Sequence, residues 1–179
     1  MTTRVLATLT AIWAVGLAVG GYEMYVYMTT PGELTAAPAR WPEGTRLERA
    51  PDGATVVMFV TAGCPCARAS LAELALVHGA ARTYVVSDGE VPRSSDFIWF
   101  ADDGAEAARF GARTAGYVVA YDARGALRFS GGITGARGHV GANVGRDLLE
   151  AVLGDQLRDA THAVFGCAIG AREAVRTVD

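Results

Sequence analysis

The sequence predicts an α/β fold, a three-layer sandwich, preceded by a single N-terminal transmembrane helix. Three observations predict it. The first is an uncharged apolar run at 5–22. The second is a short apolar run at 54–61, after which apolar residues recur at helical spacing, and the third is a pair of strand-like segments on either side of a turn at 122–125. Short apolar runs rich in β-branched residues are typical of buried strands, and strands connected by helices build layered folds. We expect the first strand, at 54–61, in the centre of the sheet.

The composition indicates one folded domain with attachments. The chain has 179 residues, of which 51% are hydrophobic and 20% are charged, so it can bury a core and is not a disordered protein. Its 16 basic and 19 acidic side chains give a net charge of −3, without the basic surface that general nucleic-acid binding requires. We therefore expect no nucleic acid among its partners.

Residues 1–28 are interpreted as an N-terminal transmembrane anchor. The uncharged run at 5–22, as a helix, spans about 27 Å, which is sufficient to cross a bilayer. Arg4 precedes the run and Glu23 is the first charge after it, so the positive-inside rule places the N-terminus in the cytoplasm. A cleaved signal peptide is the alternative. Both interpretations export the domain; with the anchor retained, the protein is a single-pass protein of the cytoplasmic membrane whose domain faces the periplasm.

The rest of the chain divides into three parts. Residues 29–53 contain four of the six prolines and are expected to form an extended linker, because proline disfavours helix interiors and central strands. The folded domain is expected to cover 54–154. Residues 155–179 form a C-terminal extension that contains Cys167.

Local patterns predict each element of the domain. The first strand ends at a glycine, and the next proline, Pro65, suits the first position of a helix, which predicts a helix over 65–78 with Cys64 as its N-cap. The remaining elements are predicted as a strand at 82–86, an apolar segment at 97–100, a helix at 105–110, hairpin strands at 117–121 and 126–130, a glycine-rich loop at 131–145 and a closing helix at 146–153.

The two cysteines at the strand-to-helix junction are the candidate catalytic residues. A helix N-terminus lowers the pKa of a thiol at its cap, so Cys64 is predicted to be a nucleophile and Cys66 its partner. Side chains two positions apart on a helix do not face each other, so a disulfide between these two would be strained and easily reduced. The alternative is that both are small buried hydrophobic residues. Cys167 is either a resolving partner or a buried thiol.

The predicted domain, residues 54–154, resembles the thioredoxin-like superfamily. The resemblance rests on the apolar strand that delivers Cys64-Pro65-Cys66 to a helix start, on the segment 110–117 and on the hairpin turn at 122–125. It implies an exported domain with a thiol-redox role.

Within that superfamily, the chain is most similar to membrane-anchored RedB-type proteins. This similarity is carried by three short segments: 64–71, 130–134 and 137–139. It implies little about the substrate.

The resemblance also implies three further site residues. Members of the superfamily place two residues between the cysteines, where only Pro65 stands here, and carry a cis-proline that faces the pair, at a position that matches Gly116. The loop after the last hairpin strand opens beside the cysteines in this superfamily, which implies roles for Arg137 and His139. Arg137 would favour a thiolate, and His139 would move protons or ligate a metal. The alternative for His139 is a loop histidine bonded to backbone.

We therefore expect a membrane-anchored thiol–disulfide oxidoreductase that acts through Cys64 and Cys66 on protein thiols or disulfides, together with a redox partner. No cofactor is expected. A bound nucleotide in particular is disfavoured, because the glycine-rich loop at 131–145 lacks the Lys-Ser/Thr ending of a phosphate-binding loop. Two alternatives stay open. One is a copper-binding or metallochaperone module in which Cys64 and Cys66, with His139 or Cys167, hold Cu(I). The other is a non-catalytic docking domain.

Overall fold

The computed structural model describes residues 2–77, 81–90 and 96–170. Its elements in chain order are α1 (Thr2–Thr29), β1 (Ala54–Val60), α2 (Pro65–Leu74), β2 (Ala81–Ser87), β3 (Ile98–Ala101), α3 (Ala105–Arg109), β4 (Tyr117–Tyr121), β5 (Leu127–Gly132), α4 (Val144–Leu153) and β6 (Ala160–Thr161). The predicted order of strands and helices is confirmed, and the structure adds β6 to it.

The sheet has six strands in the order β3-β2-β1-β4-β5-β6. β1 pairs in parallel with β2, and β2 with β3, whereas β4 runs antiparallel to both β1 and β5. Six of the seven residues of β1 are buried, because other strands cover both its edges and further layers cover both its faces. The predictions of a central first strand and of a hairpin at 117–130 are confirmed.

Two apolar clusters on opposite faces of the sheet create the three layers. Successive side chains of a strand point to opposite faces. Val56 and Met58 of β1 pack with residues of α2 and α4, whereas Val57 and Phe59 pack with α3 and Phe110. The predicted three-layer α/β sandwich is therefore confirmed.

The N-terminal helix α1 extends beyond the predicted apolar run. Its segment Thr3–Thr29 has 27 residues and a mean hydropathy of 1.7, and none of it is buried. A helix of this length spans about 40 Å, more than the roughly 30 Å of a bilayer's hydrocarbon core. By length and composition α1 can cross a membrane, a test that a signal sequence near an N-terminus also passes.

The proline-rich segment at 30–53 is packed against the domain. It contains no helix and only one isolated strand bridge, in keeping with the predicted linker. However, Leu47 is buried, and the Trp41 ring meets the Phe110 ring edge-on at 5.2 Å between centroids. These apolar side chains cover the sheet face that the five-residue helix α3 leaves open. The segment therefore contributes to the core as well as to the connection with α1.

Two predicted boundaries differ from the structure. Helix α2 ends before the predicted residue 78, and residues 78–80 lie outside the described chain. The predicted loop at 131–145 is shorter than expected, because β5 and α4 each take two of its residues. Helix α4 begins early because Asn143 caps it: the side-chain oxygen accepts a hydrogen bond from the N–H of Arg146 at 2.9 Å.

Glu73 joins α2 to α4 and to the loop between β5 and α4. Its side chain is fully buried and accepts hydrogen bonds from the N–H of Gly141 at 2.6 Å, the amide of Asn143 at 3.1 Å and the guanidinium of Arg146 at 2.7 Å. The cysteine pair lies at the start of α2 and Arg137 lies in the loop. This carboxylate therefore fixes the cysteine pair and Arg137 relative to each other.

Glu73→Ala is expected to lower the free energy of unfolding by about 2–3 kcal/mol, because it leaves three buried or part-buried donors, one of them charged, without their acceptor. Urea unfolding of the full-length protein in detergent micelles measures this. Glu48→Ala is the matched control: its carboxylate is 80% exposed and 3.6 Å from Arg82, so the loss should stay below about 1 kcal/mol. Equal losses in the two variants would contradict the bridging role of Glu73.

Candidate functional site

The first cysteine of the site lies at the N-terminus of α2, directly after β1. A turn containing Gly63, with φ of 73°, leads from the strand to Cys64. Cys64 is the N-cap residue, as predicted, and Pro65 occupies the first turn, where its missing N–H leaves nothing unpaired. The Cys64 sulfur therefore lies at the helix end where backbone N–H groups have no partner within the helix.

Three cysteine sulfurs meet at this point. The Sγ atoms of Cys64, Cys66 and Cys167 lie within 4.8 Å of one another, and all three thiols are free. Cys64 is 7% exposed and Cys66 is 8% exposed, while Cys167 is half-buried. In the described part of the chain, this is the one group of three or more Cys, His, Asp or Glu side chains close enough to share a metal ion. The fold thus brings Cys167 to the predicted pair.

The three thiols differ in their affinity for a proton. Burial on its own raises the pKa of Cys64, but a hydrogen bond from the Cys167 thiol, followed by the N–H groups of Ala67, Cys167 and Cys66, outweighs burial and lowers that pKa. Burial, and then the charge of Cys64, raise the pKa of Cys66. Burial and the hydrogen bond to Cys64 raise the pKa of Cys167 to about 12. Cys64 is therefore the thiol that ionises first, with Cys167 as its hydrogen-bond donor.

Backbone pairing holds Cys167 in place. We call residues 163–169 the C-terminal strap. The carbonyl oxygen of Cys167 accepts a hydrogen bond from the N–H of Ala115 at 2.8 Å, and the N–H of Ile169 donates to the carbonyl of Arg113 at 2.9 Å. These bonds form an antiparallel bridge between the strap and the segment that precedes β4. The strap therefore pairs with the chain before β4 at a single bridge, and this holds Cys167 beside the other two cysteines.

Two glycines allow this close packing. A Cβ atom at Gly166 of the strap would overlap the carbonyl oxygen of Ala115, so glycine alone permits the approach. Gly116 has a φ of 89°, and a Cβ there would lie 2.6 Å from Oγ of Ser70 on α2. The described residues contain no cis peptide bond. Gly116, which the resemblance matched to a cis-proline, thus lies at a tight contact between α2 and the chain before β4.

Arg137 connects the strap to the end of α1. Its guanidinium donates to the carbonyl oxygens of Gly166 and, at 3.0 Å, of Tyr27, and it lies 4.9 Å from the centre of the Tyr27 ring. Burial raises the pKa of Cys66, and the positive charge of Arg137 opposes that increase. The point where the chain leaves α1 is therefore adjacent to the cysteine cluster.

His139 lies outside the cluster. Its side chain is exposed, and its backbone N–H donates to the carbonyl of Ala136 at 3.2 Å. Within residues 2–77, 81–90 and 96–170, the potential metal ligands that come together are the three cysteines without this imidazole. The structure thus supplies a third sulfur, not a nitrogen, beside the predicted pair.

Comparison with known proteins shows the fold alone. No family model and no curated protein matches the chain. An uncharacterized conserved protein from Geobacillus kaustophilus is 19% identical, with a TM-score of 0.52 over 79% of this chain and 92% of its own. A hypothetical protein from Sinorhizobium meliloti 1021 is 22% identical, with a TM-score of 0.53 over 78% of this chain and 93% of its own.

A thioredoxin-like protein from Aeropyrum pernix is also similar. It is 13% identical, with a TM-score of 0.42 over 81% of this chain and 99% of its own. This likeness is too loose to carry an argument about function. The arguments about function therefore rest on the sulfur atoms of this chain.

Two variants of Cys167 should separate its hydrogen bond from its sulfur. Cys167→Ala removes the donor and is expected to raise the pKa of Cys64, whereas Cys167→Ser retains an O–H donor and should leave that pKa lowered. The pH midpoint of Cys64 alkylation, followed by mass spectrometry in the full-length protein, reports this pKa independently of access to the sulfur. The same midpoint in Cys167→Ala and in the unaltered protein would show that the thiol–thiol bond does not govern Cys64.

Proposed function

We propose that this chain is a membrane-anchored thiol–disulfide oxidoreductase that acts outside the cytoplasm on protein thiols or disulfides. The observation that carries the proposal is the position of the Cys64 sulfur at the N-terminus of α2, with the sulfurs of Cys66 and Cys167 within 4.8 Å. A thiolate, and not a thiol, attacks disulfides, so the hydrogen bonds that favour the Cys64 thiolate favour this reaction. The predicted α/β sandwich supplies the helix N-terminus at which the sulfur lies.

The proposed reaction transfers two electrons. The Cys64 thiolate attacks one sulfur of a substrate disulfide, that S–S bond breaks, and the other substrate sulfur leaves as a thiolate that takes up a proton. A second thiol of the cluster, Cys66 or Cys167, then loses its proton and attacks Cys64, which releases the other half of the substrate as a thiol. The substrate disulfide is reduced, and a disulfide forms in this chain. An external dithiol partner would restore the reduced protein, and the reverse sequence would oxidise a substrate dithiol.

In this proposal the anchor keeps the chemistry close to a membrane. Arg4 near the start of α1 and Glu23 within its C-terminal part favour a cytoplasmic N-terminus and a periplasmic domain. The contact of Arg137 with Tyr27 holds the cysteine cluster near the end of α1. Membrane attachment is what the resemblance to membrane-anchored RedB-type proteins implies, and it favours substrates that approach along the membrane surface.

Cys64→Ser is expected to abolish dithiothreitol-driven reduction of insulin by the full-length protein in detergent, because no other described thiol has a lowered pKa. Ala123→Ser, in the exposed turn of the β4–β5 hairpin, is the control and should keep full activity. Activity that survives Cys64→Ser would refute the proposal. Native cysteines that neither reduce insulin nor react with iodoacetamide would instead indicate the non-catalytic docking domain.

A second candidate function is soft-metal binding. Three sulfur donors within 4.8 Å of one another are suited to Cu(I), which prefers thiolate ligands. Cys64, Cys66 and Cys167 would hold the ion.

Under this alternative, protein purified under reducing conditions and exposed to Cu(I) should bind about one equivalent and lose it in Cys167→Ser as in Cys64→Ser. Metal analysis together with ultraviolet absorption of the thiolate complex measures this. Failure of the wild-type protein to retain copper against a competing chelator would exclude the copper module.

A further inference from the structure

Cys64 has two candidate partners, and they reach it differently. Cys66 follows it by two residues, at the start of α2, where side chains two positions apart point in different directions. A disulfide between them requires the first turn of the helix to change, because both ends of the bond lie in that turn. Cys167 approaches from a separate segment, and its position does not depend on the geometry of α2.

The strap presents Cys167 to Cys64 in a defined orientation. Backbone hydrogen bonds hold the strap at the carbonyl of Cys167 itself, which accepts from Ala115 at 2.8 Å, and two residues later at the N–H of Ile169, which donates to Arg113 at 2.9 Å. The sulfurs of Cys167 and Cys64 lie within 4.8 Å of each other. Joining them requires the sulfurs to move together without unwinding a helix.

The strap is one of the segments that lie against the sulfur a substrate must reach. Cys64 is only 7% exposed, so a protein disulfide needs a neighbouring segment to move before it contacts that sulfur. Besides the buried side chain of Val164, five described hydrogen bonds hold the strap: the two backbone bonds just described, one from the guanidinium of Arg137 to Gly166, one from Gly32 to Val164 at 2.8 Å and one from Gly132 to Ala163 at 3.3 Å. Displacement of this segment would open the sulfur, and its return would carry Cys167 back to the same atom.

We infer that Cys167, and not Cys66, is the resolving thiol, and that the C-terminal strap is the moving segment that delivers it. This inference rests on the proposed function. After Cys64 has formed a mixed disulfide with a substrate sulfur, the Cys167 thiol loses its proton to solvent and attacks Sγ of Cys64. The bond between Cys64 and the substrate breaks, the substrate sulfur leaves and is protonated, and a Cys64–Cys167 disulfide forms. The substrate gains two electrons, and the two cysteines lose them.

The electrostatics of the cluster fit this order of events. The high pKa of Cys167, about 12, arises from burial and then from its hydrogen bond to Cys64 and the charge there. Once Cys64 is in a mixed disulfide it carries no negative charge, so that part of the increase disappears and Cys167 ionises more easily. The resolving thiol therefore becomes more reactive only after the first step has taken place.

The first test is the position of the disulfide in the oxidised full-length protein. Trypsin cleaves after Arg49 and Arg68, which leaves Cys64 and Cys66 in one peptide, and after Arg158 and Arg172, which leaves Cys167 in another. Treatment with oxidised glutathione in detergent, followed by alkylation and digestion without reductant, should give the two peptides linked. A disulfide confined to the peptide 50–68 would overturn the inference and leave the proposed function standing.

The second test traps the intermediate with oxidised glutathione as the probe. Cys167→Ser should accumulate a glutathione adduct on Cys64 and lose insulin reduction, whereas Cys66→Ser should accumulate none and form the linked peptides. The opposite pattern, with an adduct in Cys66→Ser and turnover in Cys167→Ser, would overturn the inference. If the wild-type protein and every variant show neither adduct nor disulfide, the proposed function itself fails. Far-ultraviolet circular dichroism and a retained pH midpoint for Cys64 alkylation verify that Cys167→Ser is folded.

Discussion

The meeting of three cysteine sulfurs at the N-terminus of α2 is the contact on which the chemistry of the site depends. Burial of a thiol disfavours its charged form. Cys64 is buried, and yet its pKa is lowered, because Cys167 and three backbone N–H groups favour the thiolate more than burial opposes it. The strap contributes to this effect through both the thiol and the backbone N–H of Cys167.

This interaction depends in turn on long-range backbone contacts. Gly166 lets the strap approach Ala115, and Arg137 holds the strap and the end of α1 together through the carbonyl oxygens of Gly166 and Tyr27. Glu73 fixes the loop that carries Arg137 to the helix that carries Cys64. A small number of polar contacts therefore couples the positions of α1, the glycine-rich loop and the cysteine cluster.

The sequence predicted those features that have a local cause. An apolar β-branched run predicts the central strand, and a proline at a helix start predicts the N-cap position of Cys64. A turn between two strand-like segments predicts the β4–β5 hairpin. Each of these signals lies in residues that are neighbours in the sequence. The pairing of the strap with Arg113 and Ala115 joins segments far apart in the chain and has no local signal. The packing of Trp41 on Phe110 was missed for the same reason, since the surrounding prolines indicated only an extended segment. A cysteine in the apolar segment 164–169 was the one sign of the third sulfur, and a buried thiol explains that sign equally well.

The protonation of the cluster bears on the choice between redox chemistry and metal binding. Attack on a disulfide needs a thiolate, and Cys64 is the first of the three thiols to ionise because its pKa is lowered while those of Cys66 and Cys167 are raised. A Cu(I) ion held by three sulfurs needs all three deprotonated, so binding must release two further protons and place two net negative charges in a buried site. Arg137 is the cation whose charge acts on Cys66, and it also contacts the end of α1. Because one guanidinium offsets only part of that charge, the resting state of the cluster favours thiol–disulfide exchange.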